Sequence, residues 1–215
     1  MDSGIFRWIN RLADRTGWAH DLFKANASYG IALFALLLLA AYIDGHQHGD
    51  LRAVAGSVWA GAAALIALGL GQLIGNAVNR ARPYETMTGV HLLVDRTTDF
   101  SFPSDHATAV GAIAAGLLIA NRRWGIIAAV LAAAMAFTRV YVGVHYPSDV
   151  LTGLALGAVV AWSGGLVAIP ALTNIANWMT TTPLSFLVSR RTPRPSNLRR
   201  DDVKRVVGST ESAAG

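Results

Sequence analysis

The sequence contains no cysteine among its 215 residues, which excludes disulfide bonds and thiolate metal sites. Charged residues are also scarce: they make up 14% of the chain, compared with about 25% in ordinary soluble domains. Hydrophobic residues account for 53% of the sequence and fall into long runs. These features predict one membrane domain with a polar tail and argue against a soluble enzyme.

Basic residues outnumber acidic ones, giving a formal net charge of +5. A positive charge can indicate a nucleic-acid-binding protein, but here the arginines and lysines are concentrated in short loops and in the C-terminal tail. That distribution is more typical of signals for membrane topology. We therefore expect the lipid bilayer and a membrane lipid as partners, and no nucleic acid.

Five apolar segments are long enough to cross a bilayer as helices, for which about 17 to 25 residues are needed. They are residues 27–43, 53–78, 104–120, 124–142 and 149–169. Their many alanines and glycines allow helices to approach one another closely. The predicted fold class is therefore all-α, a polytopic membrane helix bundle with about five transmembrane helices.

The N-terminal segment, residues 1–26, is predicted to form an amphipathic helix that lies at the membrane interface. Its charged residues interrupt any apolar core, so it does not have the pattern of a signal peptide. One helical face is apolar and the opposite face is charged. The apolar face consists of Ile5, Trp8, Ile9, Leu12 and Ala13. The alternative is a disordered polar leader, but the two tryptophans in this segment suit the lipid headgroup layer.

The chain becomes more polar after the membrane domain, which is predicted to cover residues 27–170. Residues 171–188 have a mixed composition and are predicted to be a membrane-proximal segment. Residues 189–215 are basic and poor in apolar side chains, which predicts a disordered cytoplasmic tail.

The predicted orientation follows from the number of spans. With five spans, Arg122 and Arg123 lie on the same side as the basic tail, and the positive-inside rule makes that side cytoplasmic. The loops at 79–103 and 143–148 then face outward. We therefore expect a multi-pass protein of the plasma or inner membrane.

Three polar clusters lie at the ends of apolar segments, on the side predicted to face outward. They are Arg82-Pro83, Pro103-Ser104-Asp105-His106, and the run from Arg139 through His145 to Asp149. Each cluster alone has a structural explanation, as a snorkelling arginine, a helix cap or a capping carboxylate. Three such clusters on one membrane face are better explained by a site for phosphoryl transfer.

The residue types in these clusters suit the transfer of a phosphoryl group. Arginines can hold a phosphate, and the proline-led helix start at Ser104 offers free backbone N–H groups to an anion. One histidine can attack phosphorus while another gives a proton to the leaving group. Asp149 follows Pro147 and can reach back towards the His145 imidazole to fix its tautomer.

These residues resemble the three-part signature of the type 2 phosphatidic acid phosphatase superfamily, which comprises helical membrane lipid phosphatases and soluble vanadium haloperoxidases. The order of the three parts matches, as does the spacing within the second and third. The runs FPSDHAT and RVYVGVHYPSDVL are most similar to the bacitracin-resistance type of undecaprenyl-diphosphate phosphatase. The resemblance covers residues 27–170 and implies that this segment is a membrane phosphatase domain.

The resemblance also implies a role for each site residue. His145 is the nucleophile that forms a phosphohistidine, Asp149 orients it, and His106 protonates the leaving group and then activates water. The residues implied to bind the substrate phosphate are Arg82, Ser104, Asp105 and Arg139. Neither a cofactor nor a metal is expected, since the family works without one and no cluster of carboxylates suggests a metal site.

Two positions depart from the family pattern. Gly75 stands where the family usually has a lysine, and Thr138 replaces the usual serine before Arg139. The missing lysine removes one phosphate contact, for which Asn79 and Arg80 are the candidate replacements. The chain also has one predicted span fewer than the six common in the superfamily, and the amphipathic segment is expected to take the place of that helix.

Three functions are compatible with these features. The first is an outward-facing phosphatase that converts a polyprenyl (undecaprenyl) diphosphate to the monophosphate and so recycles the lipid carrier of cell-wall synthesis. The second is a phosphatase for another lipid, such as phosphatidylglycerol phosphate or phosphatidic acid. The third is a non-catalytic or transport protein of the same fold, against which the intact His106, His145 and Asp149 argue.

Overall fold

The computed structural model describes residues 2–189, which are predominantly helical and contain no β-strand. All but one residue of the predicted tail, 189–215, lie outside this range. Within it, eight α-helices and two short 3₁₀ turns, Gly17–Ala19 and Pro183–Leu187, follow one another. In chain order, the helices are α1 (Asp2–Asn10), α2 (Leu12–Arg15), α3 (His20–His48), α4 (Leu51–Val78), α5 (Pro83–Thr86), α6 (Asp105–Ala120), α7 (Arg122–Tyr141) and α8 (Pro147–Met179).

The prediction of a membrane helix bundle with about five spans is confirmed. Helix α6 has only 16 residues, about 24 Å of helix, and it is packed in the middle of the bundle against α4, α7 and α8. Four other segments of the described chain are long and apolar enough to cross a membrane: Gly17–His48, Leu51–Thr86, Arg122–Tyr141 and Pro147–Met179.

Small residues bring helix α6 into close contact with its neighbours α8 and α4. A β-carbon at Gly157 would overlap with the carbonyl oxygen of Thr108, so only glycine permits this approach of α8 to α6. A β-carbon at Gly116 would lie 2.8 Å from the Cα atom of Ala60 on α4. Because lipid is as apolar as the helices themselves, close packing of this kind is what holds a membrane bundle together.

Helix α8 extends beyond the predicted fifth span, which ends at residue 169, before Pro170. A proline lacks the backbone N–H that a helix needs, and this favours a helix boundary. In the structure the helix instead continues through Pro170 to Met179. Membrane helices tolerate an internal proline because neighbouring groups compensate for the lost hydrogen bond. Residues 171–188 therefore contain the end of α8 and the second 3₁₀ turn.

The amphipathic N-terminal helix is present as α1, which packs across the end of the bundle. It buries Phe6 and Asn10 against the bundle, whereas Trp8 of the predicted apolar face is 68% exposed. The Asn10 side chain fastens the helix to the bundle, because its Nδ2 donates to the carbonyls of His91 and Tyr141 at 2.9 Å each. The exposed Trp8 ring is available to contact lipid headgroups.

Candidate active site

The three polar clusters meet at one end of the helix bundle. Arg82 lies between α4 and α5, Ser104 precedes α6, and His145 lies in the loop between α7 and α8. Direct hydrogen bonds join these segments. Arg82 Nη1 donates to the Val144 carbonyl at 3.0 Å, and Ser104 N donates to the Asp149 carbonyl at 3.1 Å. Residues far apart in the sequence are thereby held around one centre.

His145 is only 2% exposed, and both of its ring nitrogens have defined neighbours. Nδ1 lies 2.8 Å from the carbonyl oxygen of Ser101. Since a carbonyl can only accept a hydrogen bond, Nδ1 carries the proton and Nε2 keeps its lone pair. Nε2 lies 3.3 Å from Nη1 of Arg82, which can donate to it. The nitrogen that is free to attack therefore lies beside a cation able to hold a phosphate oxygen.

The Asp149 carboxylate is fully buried but makes no direct hydrogen bond to His145. Its Oδ2 lies 3.8 Å from Nδ1 of His145, which is beyond hydrogen-bond distance. Instead Oδ2 accepts from Ser101 Oγ at 2.5 Å and from Tyr146 N at 2.8 Å, and Oδ1 accepts from Arg80 Nη1 at 2.6 Å. The two side chains lie within ion-pair distance, and the hydrogen-bonded route from Asp149 to His145 runs through Ser101.

Arg82 and Arg139 are buried cations close to the two histidines. Arg82 is 3% exposed and forms an ion pair with Asp99, with Nη2 and Oδ2 separated by 2.9 Å. Arg139 is 8% exposed, and its Nε is buried without a hydrogen-bond partner among residues 2–189. Both arginines interact electrostatically with His106 and with His145. The positive charge of the site is therefore shared between two separate elements.

The start of helix α6 contributes further polar groups. Ser104 is fully buried, and its Oγ also lacks a hydrogen-bond partner within the described part of the chain. His106 lies in the first turn of the helix and is partly buried. The Asp105 carboxylate accepts from Gln72 Nε2 at 2.8 Å, and as a negative group it does not itself attract an anion. The part of Asp105 suited to a phosphate is its backbone N–H, which lies at the start of the helix. In the described residues no group of three or more His, Asp or Glu could hold a metal ion.

The two candidate replacements for the missing lysine are engaged elsewhere. Asn79 ends α4 in a left-handed conformation with φ of 52°, and its Nδ2 donates to the Asn76 carbonyl at 2.9 Å. Arg80 forms ion pairs with Asp2 and Asp149, each at 2.6 Å. The structure therefore places Asn79 as a helix cap and Arg80 next to Asp149.

Gly75, which stands at the position of the family lysine, lies against the loop that precedes α6. A β-carbon there would lie 3.1 Å from the Phe102 carbonyl oxygen, closer than an ordinary contact. Gly75 also lines a cavity of about 240 Å³ together with Asp99 and Asp105. The absence of a side chain at this position allows the loop to pack closely on α4.

Ser101 and Asp99 belong to the site but have no motif of their own in the sequence. Ser101 holds the His145 ring, and Asp99 pairs with Arg82. Neither residue has a spacing that distinguishes it from other polar residues of the loop. The one available signal is charge, because a buried arginine needs a carboxylate partner and the loop at 79–103 contains only three acids.

The protonation state of His145 suits a nucleophile. The residue lies in the loop between α7 and α8, and burial lowers its pKa to about 4. The Asp149 carboxylate opposes this shift, whereas the charges of Arg139 and Arg82 add to it. A histidine with a lowered pKa loses its proton at lower pH than one in solution. His145 is therefore neutral from about pH 5 upward, where an unperturbed histidine is still mostly protonated.

We expect the His145 ring to remain neutral between about pH 5 and pH 8, with its proton on Nδ1. The ¹⁵N chemical shifts of the histidine rings in detergent-solubilised protein report both charge and tautomer, and His145→Gln identifies the signal. A midpoint near the value of about 6.5 for histidine in solution, or a proton on Nε2, would contradict the geometry.

Comparison with known proteins shows the family to which the chain belongs. The sequence profile described as the PAP2 superfamily matches residues 56–169, more than half of the chain. Undecaprenyl-diphosphatase BcrC of Bacillus subtilis is 30% identical over 162 residues, which cover 75% of this chain and 81% of that protein. Decaprenylphosphoryl-5-phosphoribose phosphatase of Mycobacterium tuberculosis is 44% identical over 102 residues, which cover 47% of this chain and 55% of that protein.

A solved structure shows the same fold. The crystal structure of Aquifex aeolicus LpxE superposes with a TM-score of 0.58 and covers 79% of this chain and 94% of that chain, at 22% sequence identity. The profile match and the long similarity to BcrC agree with the helix bundle and with the resemblance found in the three motifs. The chain therefore belongs to the PAP2 superfamily, as a membrane hydrolase of the lipid-phosphatase type.

Proposed function

We propose that the protein hydrolyses a polyprenyl diphosphate, such as undecaprenyl diphosphate, to the monophosphate through a phosphohistidine at His145. The observation that carries this proposal is the buried His145 ring, whose Nδ1–H is held by the Ser101 carbonyl and whose Nε2 lies beside Arg82. A neutral imidazole with its lone pair next to a cation is the arrangement that attack on a phosphate requires.

The reaction takes place in two steps. In the first, Nε2 of His145 forms a bond to the terminal phosphorus while the bond from phosphorus to the bridging oxygen breaks, and the lipid monophosphate leaves. His106 in its protonated form gives a proton to that leaving oxygen. In the second, His106 takes a proton from a water molecule that attacks the phosphohistidine. Inorganic phosphate is released, and neutral His145 is regenerated.

Two unpartnered donors support an anionic substrate at this place. Ser104 Oγ and Arg139 Nε are buried and have no hydrogen-bond partner among the described residues. A buried donor left in this condition costs about 1–3 kcal/mol. A phosphate group has several acceptor oxygens and can bind both donors, together with Arg82, as negative charge develops in the transition state.

The similarity to BcrC over three quarters of the chain supports a polyprenyl diphosphate as the substrate. A second candidate is a phosphate monoester carried by another lipid, such as phosphatidylglycerol phosphate or phosphatidic acid. The 44% identity to a mycobacterial phosphatase that acts on a lipid-linked phosphosugar favours this class of monoester. The two candidates differ in the leaving group, which is a lipid phosphate in the first and an alcohol in the second.

We expect purified protein to release phosphate from undecaprenyl diphosphate faster than from phosphatidylglycerol phosphate or phosphatidic acid, with EDTA present throughout. His145→Ala should lower kcat at least about a thousandfold, because losing a covalent nucleophile typically costs several orders of magnitude. His48→Ala is the matched control, since His48 is an exposed histidine at the end of α3 and pairs with Asp44. It should retain wild-type activity.

Two outcomes of this assay would change the proposal. If His145→Ala kept more than about a tenth of the wild-type rate, another group would be the nucleophile. Faster release from a glycerolipid phosphate would favour the second candidate. Thermal unfolding of each variant in detergent shows whether a loss of activity reflects a loss of fold.

We also propose that the site faces away from the cytoplasm in a cell membrane, which suits the recycling of a lipid carrier. Arg122 and Arg123 are the first two residues of α7, directly after Asn121, whereas Ser104 before the start of α6 and Arg139 near the end of α7 belong to the site. The two basic residues are therefore at the opposite end of these helices. The positive-inside rule supports a cytoplasmic position for that end and for the basic tail.

Single cysteines in this cysteine-free chain can test the orientation. Thr88→Cys introduces a thiol at an exposed position in the loop after α5, and Arg123→Cys introduces one at the other end of the bundle. In intact cells an impermeant thiol reagent should label Thr88→Cys and should spare Arg123→Cys. Both variants should react after the membrane is permeabilised. The reverse pattern in intact cells would contradict an outward-facing site.

A further inference from the structure

The guanidinium group of Arg80 is occupied by acceptors of the protein itself. Its Nη1 donates to Asp149 Oδ1 and to Ser148 Oγ at 2.6 Å each, and its Nη2 donates to Asp2 Oδ2 at 2.6 Å. Its Cζ atom lies 4.1 Å from the centre of the Tyr146 ring, a distance at which cation and ring attract each other. With two carboxylates around one cation, Arg80 is poorly placed to bind a phosphate as well.

Two hydrogen-bonded routes lead from Arg80 to the nucleophile. The side chain of Arg80 holds Asp149, whose Oδ2 accepts from Ser101 Oγ at 2.5 Å. The backbone carbonyl of Arg80 accepts from Ser101 N at 2.8 Å. Ser101 is thus held at its N–H and at its hydroxyl, and its own carbonyl accepts the Nδ1 proton of His145 at 2.8 Å. The orientation of His145 therefore depends on both the side chain and the backbone of Arg80.

Asp2, in the first turn of α1, holds the other side of Arg80. Its Oδ2 accepts from Arg80 and also from Ser148 Oγ at 2.5 Å, and its Oδ1 accepts from Ser148 N at 3.1 Å. Burial alone would raise the pKa of Asp2, but the hydrogen bonds from Ser148 and Arg80 outweigh burial and keep the pKa below its usual value. Asp2 is therefore ionised at neutral pH and can pair with Arg80.

An apolar contact of α1 accompanies this ion pair. Phe6, one turn after Asp2, packs against the Tyr146 ring with the two ring centres 5.6 Å apart. The same Tyr146 ring lies under the guanidinium group of Arg80, and the backbone N–H of Tyr146 donates to Asp149. Helix α1 thus supports the group around Asp149 with one charge and one aromatic side chain.

We propose that Arg80 is a positioning residue for the nucleophile His145 and that Asp2 extends this role to helix α1. The inference rests on the proposed function of His145. Arg80 affects the rate of attack on phosphorus and does not bind the phosphate. This distinguishes it from a residue that replaces the lysine missing at Gly75, which would contact the substrate directly.

Charge-removing substitutions with matched controls test the inference. Arg80→Gln and Asp2→Asn each replace a charged group with an amide. Arg80→Lys keeps the positive charge but lacks the planar fork that reaches Asp149 and Asp2 together. The controls, Arg7→Gln and Asp21→Asn, remove the same charges from exposed positions in α1 and α3. For each variant kcat and KM are measured with the preferred lipid, and the dissociation constants of inorganic phosphate and orthovanadate are measured by calorimetry.

We expect Arg80→Gln to lower kcat at least about thirtyfold and Asp2→Asn about three- to tenfold, because a misplaced nucleophile attacks slowly. KM and the dissociation constant of phosphate should change by less than about threefold, since neither residue contacts the substrate. Orthovanadate, which bonds to the attacking nitrogen of His145, should bind Arg80→Gln at least about tenfold more weakly. Arg80→Lys should recover part of each loss, and the controls should match the wild type.

The double variant adds a test of the order in which the residues act. If Asp2 acts through Arg80, combining Asp2→Asn with Arg80→Gln should slow the enzyme no further than Arg80→Gln alone. Losses that multiply would show that Asp2 acts independently of Arg80. A wild-type rate in Asp2→Asn would overturn the role of α1.

Other outcomes would overturn the role of Arg80. If Arg80→Gln weakened phosphate and orthovanadate binding to the same extent, at least about tenfold, Arg80 would be a phosphate ligand. If Arg80→Gln did not fold, Asp2→Asn would provide the test, because Asp2 lies in a helix at the end of the bundle. A lower kcat with an unchanged KM would support the positioning role, and a higher KM with an unchanged kcat would contradict it.

The binding measurements separate this inference from the proposed function, because they need no turnover. A wild-type protein that binds orthovanadate but hydrolyses no lipid phosphate would contradict the proposed substrate and leave the positioning test intact. Equal affinity of the wild type and Arg80→Gln for orthovanadate would contradict the positioning role, whatever the substrate is.

Discussion

The hydrogen bond from His145 Nδ1 to the Ser101 carbonyl is the interaction on which the site depends. It fixes the tautomer because a carbonyl has no proton to give, and it leaves the lone pair on Nε2. Burial keeps the ring neutral, so Nε2 is available for the proposed attack on phosphorus without a separate base. The neighbouring contacts either hold Ser101 in place, through Asp149 and Arg80, or place the cation Arg82 next to Nε2.

The fold supports this interaction by bringing four chain segments to one end of a tightly packed bundle. Close contact between α6 and α8, which Gly157 permits, sets the starts of these two helices side by side. Ser104 at one start and Asp149 at the other are then joined by a backbone hydrogen bond of 3.1 Å. Because buried polar groups need partners, a shift of any one segment would leave groups in another unsatisfied. The helix packing therefore holds the four segments of the site in fixed relative positions.

The helix bundle and the motif residues could be predicted from the sequence, whereas the contacts between them could not. Long apolar runs and the spacing from Arg139 to Asp149 are local patterns, and they identified the spans and the clusters. The contact between Ser101 and His145 joins residues 44 positions apart, and no local pattern encodes it. The continuation of α8 through Pro170 is not encoded locally either, because the neighbours of Pro170 in the bundle decide whether it ends a helix.

Covalent phosphorylation of His145, the step on which the proposed function rests, can be tested by trapping the intermediate. His106→Ala should remove the group that activates water, while a lipid phosphate leaves readily without a proton donor, so the phosphoenzyme should accumulate. Substrate labelled with ³²P in its terminal phosphate is mixed with this variant, quenched in alkali and analysed by peptide mapping. We expect an alkali-stable, acid-labile label on the peptide containing His145, as phosphorylation of this residue requires. A label on another residue, or release of phosphate with no label on the protein at any time, would contradict it.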